Sequence, residues 1–460
     1  MRRFVFGILC ALACPAALSA QAPPPPARVA QVVDSLARAF VAQRGAPSVA
    51  IAVVRGETPI VMKGWGKADL ENDVAATEHS VYRIGSITKQ FTAAAVMQLV
   101  EQGKVRLADS IATYLPTLPA AWRGVTVRQL LNHTSGIPSY TSLGPAWQRR
   151  WGEEMSPDTL VALTASQPMW FTPGSEWRYD NSGYVVLGML IEKVAGRPWG
   201  VDIEERFLKP LGLTETVHCL ATPVVPRRVH GYALDAGGWV NAPYLAMSQP
   251  YAAGALCSSV SDLARWNRAL HGGRVVSVAS YAQMTTPEGP AAASIARYGF
   301  GLGRSTLSGH EMITHNGGIN GFISSNAWVP GDDLSITVLT NSGSARAGDL
   351  LRQVARAALG VPLEVQPTVV PLAAADQARY LGVYALALPG GTRDFTVAAQ
   401  GDGISGQLAG QGPVPLLHYG NHTFGAGFDP SLRITFTVEG GRATRMTLVQ
   451  GGQEIDGPRK

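Results

Sequence analysis

The sequence predicts an α+β fold: an antiparallel sheet flanked by helices, an all-helical subdomain, and a small all-β module at the C-terminus. Three observations carry this. Runs that read as strands come early, at 48–56 and 59–70, and return only at 310–318, 322–330 and 334–342. From about Leu107 to Pro290 the chain is mostly helical pieces joined by Pro/Gly loops. Beyond "VPLEVQPTVVPLAAAD" (361–376), with its three prolines, only short strands with Gly-rich turns follow. Strands first and last with helices between them imply a sheet whose ends meet.

At the N-terminus, "MRR", then "FVFGILCALACPAAL", then "SAQA" reads as a charged, an apolar and a small-residue region. This is the pattern of a secretory signal peptide over 1–22, cleaved around Ser19 to Ala22. Two other readings stand beside it. An uncleaved anchor would need about 18 to 20 apolar residues, which the run approaches. A lipid on Cys14 would have only the poor signal "ALAC". No later segment is long and apolar enough to span a membrane, so a periplasmic or secreted protein is expected.

Val29, Val32, Val33, Leu36 and Phe40 recur at helical spacing between Ala27 and Arg44. Two strands follow around a "GET" turn, and the next helix starts near Ser86. "LLNHTSGIP" (130–138) and "FTPGSEWRYDNSGY" (171–184) are turn-rich. "SVSDLARWNRALHGG" (259–273) has serine start signals and a glycine stop, and another helix runs from Gly348 to about Leu359. The expected organisation is a main domain over 27–360, a linker over 361–375, and a barrel or meander over 376–460.

Of the 460 residues, 15% are charged, against roughly 25% in ordinary soluble domains, which implies a large interior. The net charge of +5 comes with no K/R-rich run, so neither nucleic acid nor a membrane surface is an expected partner. Cys10 and Cys14 would leave with the signal peptide. Cys219 and Cys257 would then either form a bridge, as an oxidising compartment allows, or remain as two buried thiols.

The chemistry concentrates at "YRIGSITKQFTAAAVMQLV" (82–100), where Ser86 precedes Lys89 by three residues. No other lysine has a serine in that position. A serine hydroxyl is a weak nucleophile until a base takes its proton. Positions i and i+3 share a helix face, and burial would bring the lysine amine down toward a usable base. An N-cap serine followed by a first-turn lysine would give the same pattern without catalysis. No metal or cofactor is implied: the nine histidines are dispersed, with no H-E-x-x-H and no C-x-x-C. No G-x-S-x-G occurs, which argues against an α/β-hydrolase.

Context adds to the motif. Residues 80–116, "VTVRQLLNHTSGIP" (125–138), "TPGSEWRYDNSGYVVLGMLIEKVAG" (172–196) and "AAGALCSSVSDLARW" (252–266) resemble the serine β-lactamase and penicillin-binding-protein family. The likeness is greatest to its class C β-lactamase, D-Ala-D-Ala carboxypeptidase and family VIII esterase branch, and covers roughly residues 45 to 345. It implies a β-lactamase/transpeptidase-like fold. It also implies that Tyr179-Asp180-Asn181 is the family's Y-x-N, and that His315-Asn316-Gly317 on a strand is its third motif. The same patterns at Tyr419-Gly420-Asn421, His271 and His418 lie in the C-terminal module or at a helix end and are set aside.

The resemblance therefore implies a serine hydrolase acting through an acyl-enzyme on an ester, amide or D-amino-acid peptide. Ser86 would be the nucleophile, with Lys89 and Tyr179 sharing acid and base work. Asn181 and His315 would hold substrate, and the N–H groups of Ser86 and Gly318, next to Gly317, would stabilise the oxyanion. Which of Lys89 and Tyr179 takes the proton stays open. A β-lactamase proper, or a non-catalytic sensor of penicillin or cell-wall peptide, would share these residues. A histidine at the third motif is mostly neutral at pH 7, and a nearby Asp180 would raise its pKa and repel anions. Neutral esters, or amides and peptides of D-residues, are the expected substrates.

Overall fold

The computed structural model describes residues 23–364, 367–388, 391–409, 412–426, 429–450 and 453–460. The expected signal peptide at 1–22 lies outside them. Helix α1 (Pro26–Ala42) leads into strands β1 (Ser48–Arg55), β2 (Thr58–Asp69) and the short β3 (Val74–Ala75). After the helical region come β4 (Gly303–Leu307), β5 (His310–Ile319), β6 (Phe322–Val329) and β7 (Leu334–Thr340). The sheet order is β3-β2-β1-β7-β6-β5-β4. β1 pairs antiparallel with β7, from Val49 opposite Thr340 to Arg55 opposite Leu334, so the ends meet as the sequence implied.

The alternation of β1 sets which helices cover which face. Val49, Ile51 and Val53 share a core with α1 and with α2 (Ala347–Leu359, at the other end of the domain), which contributes Leu350, Leu351 and Val354. Ala50 and Ala52 point the other way, into the larger core that holds the inserted helices. Three of those matter for the site: α3 (Thr88–Glu101), α4 (Asn181–Ala195) and α5 (Val260–His271). Ser259 caps α5 by accepting from Asp262 N at 3.1 Å. The inserted region is not wholly helical. A hairpin pairs Tyr232–Asp235 with Gly238–Asn241, and Leu256–Ser258 pairs with both Tyr82–Arg83 and Val217–His218. Two to four residues are too few for alternation to stand out in the sequence.

Cys219 and Cys257 form a disulfide with their Cα atoms 5.3 Å apart, which settles the choice between bridge and free thiols. Cys257 lies opposite Arg83 on the strand that leads to Ser86. The bridge closes a loop with a sequence separation of 38, worth about 4 kcal/mol on the chain-entropy estimate. Reduction under mild denaturant should therefore lower the thermal midpoint, read by circular dichroism with and without reductant. Two thiols titrating in unfolded, unreduced protein would contradict the bridge.

Strands β8 (Gly382–Leu388), β9 (Gly391–Gln400), β10 (Gly403–Leu408), β11 (Val414–His418), β12 (Thr423–Ala426), β13 (Asp429–Glu439), β14 (Arg442–Gln450) and β15 (Gln453–Pro458) form the C-terminal module. Each pairs antiparallel with the next. Tyr384 bridges to Arg459, and Lys460 N donates to Val383 O at 2.9 Å, which brings the last strand back to the first. The meander thus curls into a near-closed barrel. Among the described residues, no helix is long and apolar enough to cross a membrane.

Candidate active site

Ser86 sits on a 3₁₀ turn, Gly85–Ile87, that runs straight into α3. Its side chain caps neither element, so the capping role that the pattern also allowed does not apply. Lys89 lies in the first turn of α3 and is fully buried. That helix passes through the core with Phe91, Ala93, Ala94, Ala95 and Val96 also inaccessible. An amine in such surroundings has only the partners the site supplies. They are Ser86 Oγ at 3.1 Å, Asn181 Oδ1 at 2.8 Å and Ala253 O at 2.8 Å.

These three partners fix the amine's protonation geometry. Ala253 O can only accept. Asn181 presents its carbonyl, because its Nδ2 donates to Thr141 Oγ1 at 3.1 Å. A neutral amine has two N–H groups and one lone pair; the two carbonyls take the N–H groups, and the lone pair is left facing the Ser86 hydroxyl. Burial pushes the Lys89 pKa well below the lysine range, with Asp180 pulling weakly the other way. Geometry and electrostatics both favour a base.

Tyr179 ends the "FTPGSEWRY" turn just before α4, and its ring lies 4.8 Å from the Lys89 Nζ. Its hydroxyl is buried beside Ser86 without closing a hydrogen bond. Burial raises its pKa, Ser86 opposes the rise, and Asp180 adds to it. Such a phenol stays protonated at neutral pH and can donate or relay a proton, but it is a poor base.

The loop 132–139 holds this segment in place. Asp180 N donates to His133 Nδ1 at 3.2 Å, and Asn181 N donates to Ser139 Oγ at 3.1 Å. Asp180 itself is 1% exposed and caps α4 by accepting from Gly183 N at 2.9 Å. Burial raises its carboxyl pKa to about 7. It does not line the cleft, so the expected repulsion of anionic substrates by Asp180 has no support: its side chain turned inward to serve the helix.

His315 departs from expectation in a similar way. The third motif is on a strand, β5, as expected. Its imidazole is 7% exposed, however, and both nitrogens are engaged. Nδ1 donates to Asn316 O and Nε2 accepts from the Tyr298 hydroxyl, each at 2.7 Å. Burial first, then the Lys89 amine, lowers its pKa to about 3. Asp180 does not raise it. Gly317 and Gly318 lie on the stretch of β5 that runs beside the serine turn. A Cβ on Gly317 would overlap Ile84 O and Ser324 Oγ, so only glycine lets β5 seat against the serine turn. β4 stops pairing at Thr314, which leaves the β5 edge at Gly318 open beside that turn. Gly85, at φ +50°, completes the close approach: a Cβ there would stand 3.0 Å from Gly318 N.

Sequence reasoning missed His133, Tyr298 and the Ala253 carbonyl. His133 packs 4.3 Å from the Tyr179 ring and 4.7 Å from Tyr298. Its loop was legible as a motif, but its role depends on contacts 47 residues away. Of the rejected copies, His418 and Asn421 belong to the barrel, and His271 ends α5 against Tyr281.

A cleft of about 430 Å³ opens over Ser86. Tyr140, Trp147, Leu245 and Ile323 give it apolar walls, and Asn181 and Asn320 supply polar edges. No charged side chain is among its described lining residues.

Comparison with known proteins agrees with this geometry. The chain is 30% identical over 271 residues to a putative penicillin-binding protein, PbpX, of Bacillus subtilis, covering 59% of this chain and 66% of that one. It is 26% identical over 396 residues to a D-aminopeptidase of Gluconobacter oxydans, covering 83% and 73%. The structure of a D-stereospecific amidohydrolase from Streptomyces superposes with a TM-score of 0.62 at 32% identity, covering 72% of this chain and 98% of that one. The sequence profile described as Beta-lactamase matches residues 33–360. A match over that much of the chain, on the fold that the sequence predicted, assigns it: the protein belongs to the Beta-lactamase family.

Proposed function

We propose that the protein is an exported serine hydrolase that works through an acyl-enzyme on uncharged esters and amides, including those of D-amino acids. The observation that carries the mechanism is the Lys89 amine, buried between two acceptor carbonyls with its remaining valence toward Ser86. Lys89 takes the Ser86 proton as Oγ bonds to the substrate carbonyl carbon. The N–H groups of Ser86 and Gly318 receive the oxyanion. The Tyr179 hydroxyl passes a proton to the leaving nitrogen or oxygen as its bond to carbon breaks. Tyr179 regains its proton from the Lys89 ammonium, which leaves the amine neutral again. Water then attacks the acyl-enzyme ester as Lys89 takes its proton, and that proton passes to Ser86 Oγ as the acyl carbon–oxygen bond breaks. Asn181 holds both the amine and the edge of the substrate, and His315 supports Tyr179 from behind through its contact with Tyr298.

The absence of charged groups among the described cleft residues supports uncharged substrates, and the apolar walls suit a medium-sized side chain. The D-aminopeptidase and D-stereospecific amidohydrolase relatives support D-configured amides. Export is supported by the N-terminal pattern and by the disulfide.

The test compares N-acetyl-D-phenylalanine p-nitroanilide, its L-enantiomer, a p-nitrophenyl short-chain ester and benzylpenicillin. Turnover of the ester and preference for the D-anilide are expected, with slow penicillin hydrolysis. With the imidazole pKa near 3, KM for penicillin should stay flat from pH 5 to 8. Efficient penicillin turnover, or acylation by penicillin with no turnover of the other three, would overturn this reading.

A further inference from the structure

We propose that the C-terminal barrel is a binding site for one small amphiphile with an apolar body and an anionic head, of the long-chain carboxylic acid type. An eight-stranded barrel has an interior that is either filled by its own side chains or wide enough for one small ligand. This barrel does both, at opposite ends. At one end Tyr384, Phe424 and Phe436 interlock, with Phe424 and Phe436 ring centres 5.5 Å apart and Tyr384 and Phe436 5.3 Å apart. Two residues along those strands the inward side chains are Leu386, Ala426 and Ile434, which face the other end.

What remains is a cavity of about 1190 Å³ to which all eight strands contribute. Leu386, Phe395, Leu416, Ile434 and Leu448 line it. A stable core would close around such side chains, since interiors pack at crystal-like density. The cavity extends to the hydrolase domain, where Trp177 and Ile295 form part of its wall. Ile295 is 64% exposed at that edge of the cavity.

The head-group preference comes from charge at the opening. Arg393 occupies the inward position on β9 two residues before Phe395, lines the cavity, and has no ion-pair partner among the described residues. Arg178 lines the same rim with its guanidinium over Trp170, and among the described lining residues Glu176 is the single carboxylate. Two guanidiniums against one carboxylate favour an anion, which Arg393 can bind bidentately. This site shares no lining residue with the cleft over Ser86, so it is independent of the reaction proposed there.

The experiment titrates full-length protein with 11-(dansylamino)undecanoic acid and follows dansyl fluorescence. Saturable one-to-one binding is expected, equal in Ser86→Ala. Leu416→Trp, which fills the cavity, should weaken binding about tenfold or more. Arg393→Glu is a rim substitution that leaves the barrel core intact. It should weaken binding of the acid several-fold while sparing the probe's methyl ester. Both variants should keep the unmodified protein's β-sheet circular dichroism and thermal unfolding profile, which shows the barrel to be folded, and should hydrolyse a neutral ester at the unmodified rate. No saturable binding, or binding that both substitutions leave unchanged, would overturn the proposal.

Discussion

Ser86→Ala should reduce hydrolysis by about 10⁶-fold, the scale on which a serine hydrolase loses its nucleophile. It should do so with little change in thermal stability, since the Ser86 side chain caps neither the 3₁₀ turn nor α3. Lys89→Ala should cost about 10² to 10⁴-fold in kcat, the range a positioned base supplies. Lys89→Arg is the sharper variant. It keeps a cation-sized chain in place but cannot lose its proton, so it should be as inactive as alanine. For the unmodified enzyme, kcat/KM should rise with pH through a limb well below the ordinary lysine pKa, because burial disfavours the charged amine. A Ser86→Ala protein with most of its activity, or an active Lys89→Arg, would end the mechanism.

Asn181→Asp should shift that limb. The new carboxylate would stand where Oδ1 now lies, 2.8 Å from the Lys89 Nζ, and an opposite charge at that distance stabilises the ammonium. The amine would hold its proton at neutral pH, and kcat/KM at pH 7 should fall by about 100-fold or more as the limb moves up by two units or beyond. Raising the pH should recover part of the loss. Asn181→Ala separates the two roles of the side chain. It removes the acceptor without adding charge, so the loss should be about 10- to 100-fold, the cost of an unpaired buried donor, and should not recover with pH. Matching profiles for the two variants would mean that Asn181 acts on substrate alone and does not set the amine's protonation.

The fold was legible where the evidence is local. Short strand-like runs around turns marked β1, β2 and β5 to β7, and the three prolines of 361–376 preceded the region of short strands that forms the barrel. The hairpin at 232–241 was not legible, because its four-residue strands gain their stability from the sheet end they pack beside. The proximity of the candidate site's residues was legible in covalent spacing: Ser86 and Lys89 are one helical step apart, and Tyr179 and Asn181 flank the cap of α4.

What those groups can do was decided only by the tertiary structure. The Lys89 amine owes its orientation to a carbonyl 164 residues away and an amide 92 residues away, and its lowered pKa to a core assembled from the whole domain. Asp180, adjacent in sequence to both site residues, turned out to serve its own helix. His315 keeps its motif position, yet Tyr298, 17 residues before it, takes its Nε2. The sequence determined which residue types stand at helical and strand spacing, since those periods are properties of a few consecutive dihedrals. Desolvation and hydrogen-bond partnership depend on which distant segments share a core, so they fixed the chemistry only once the chain had folded.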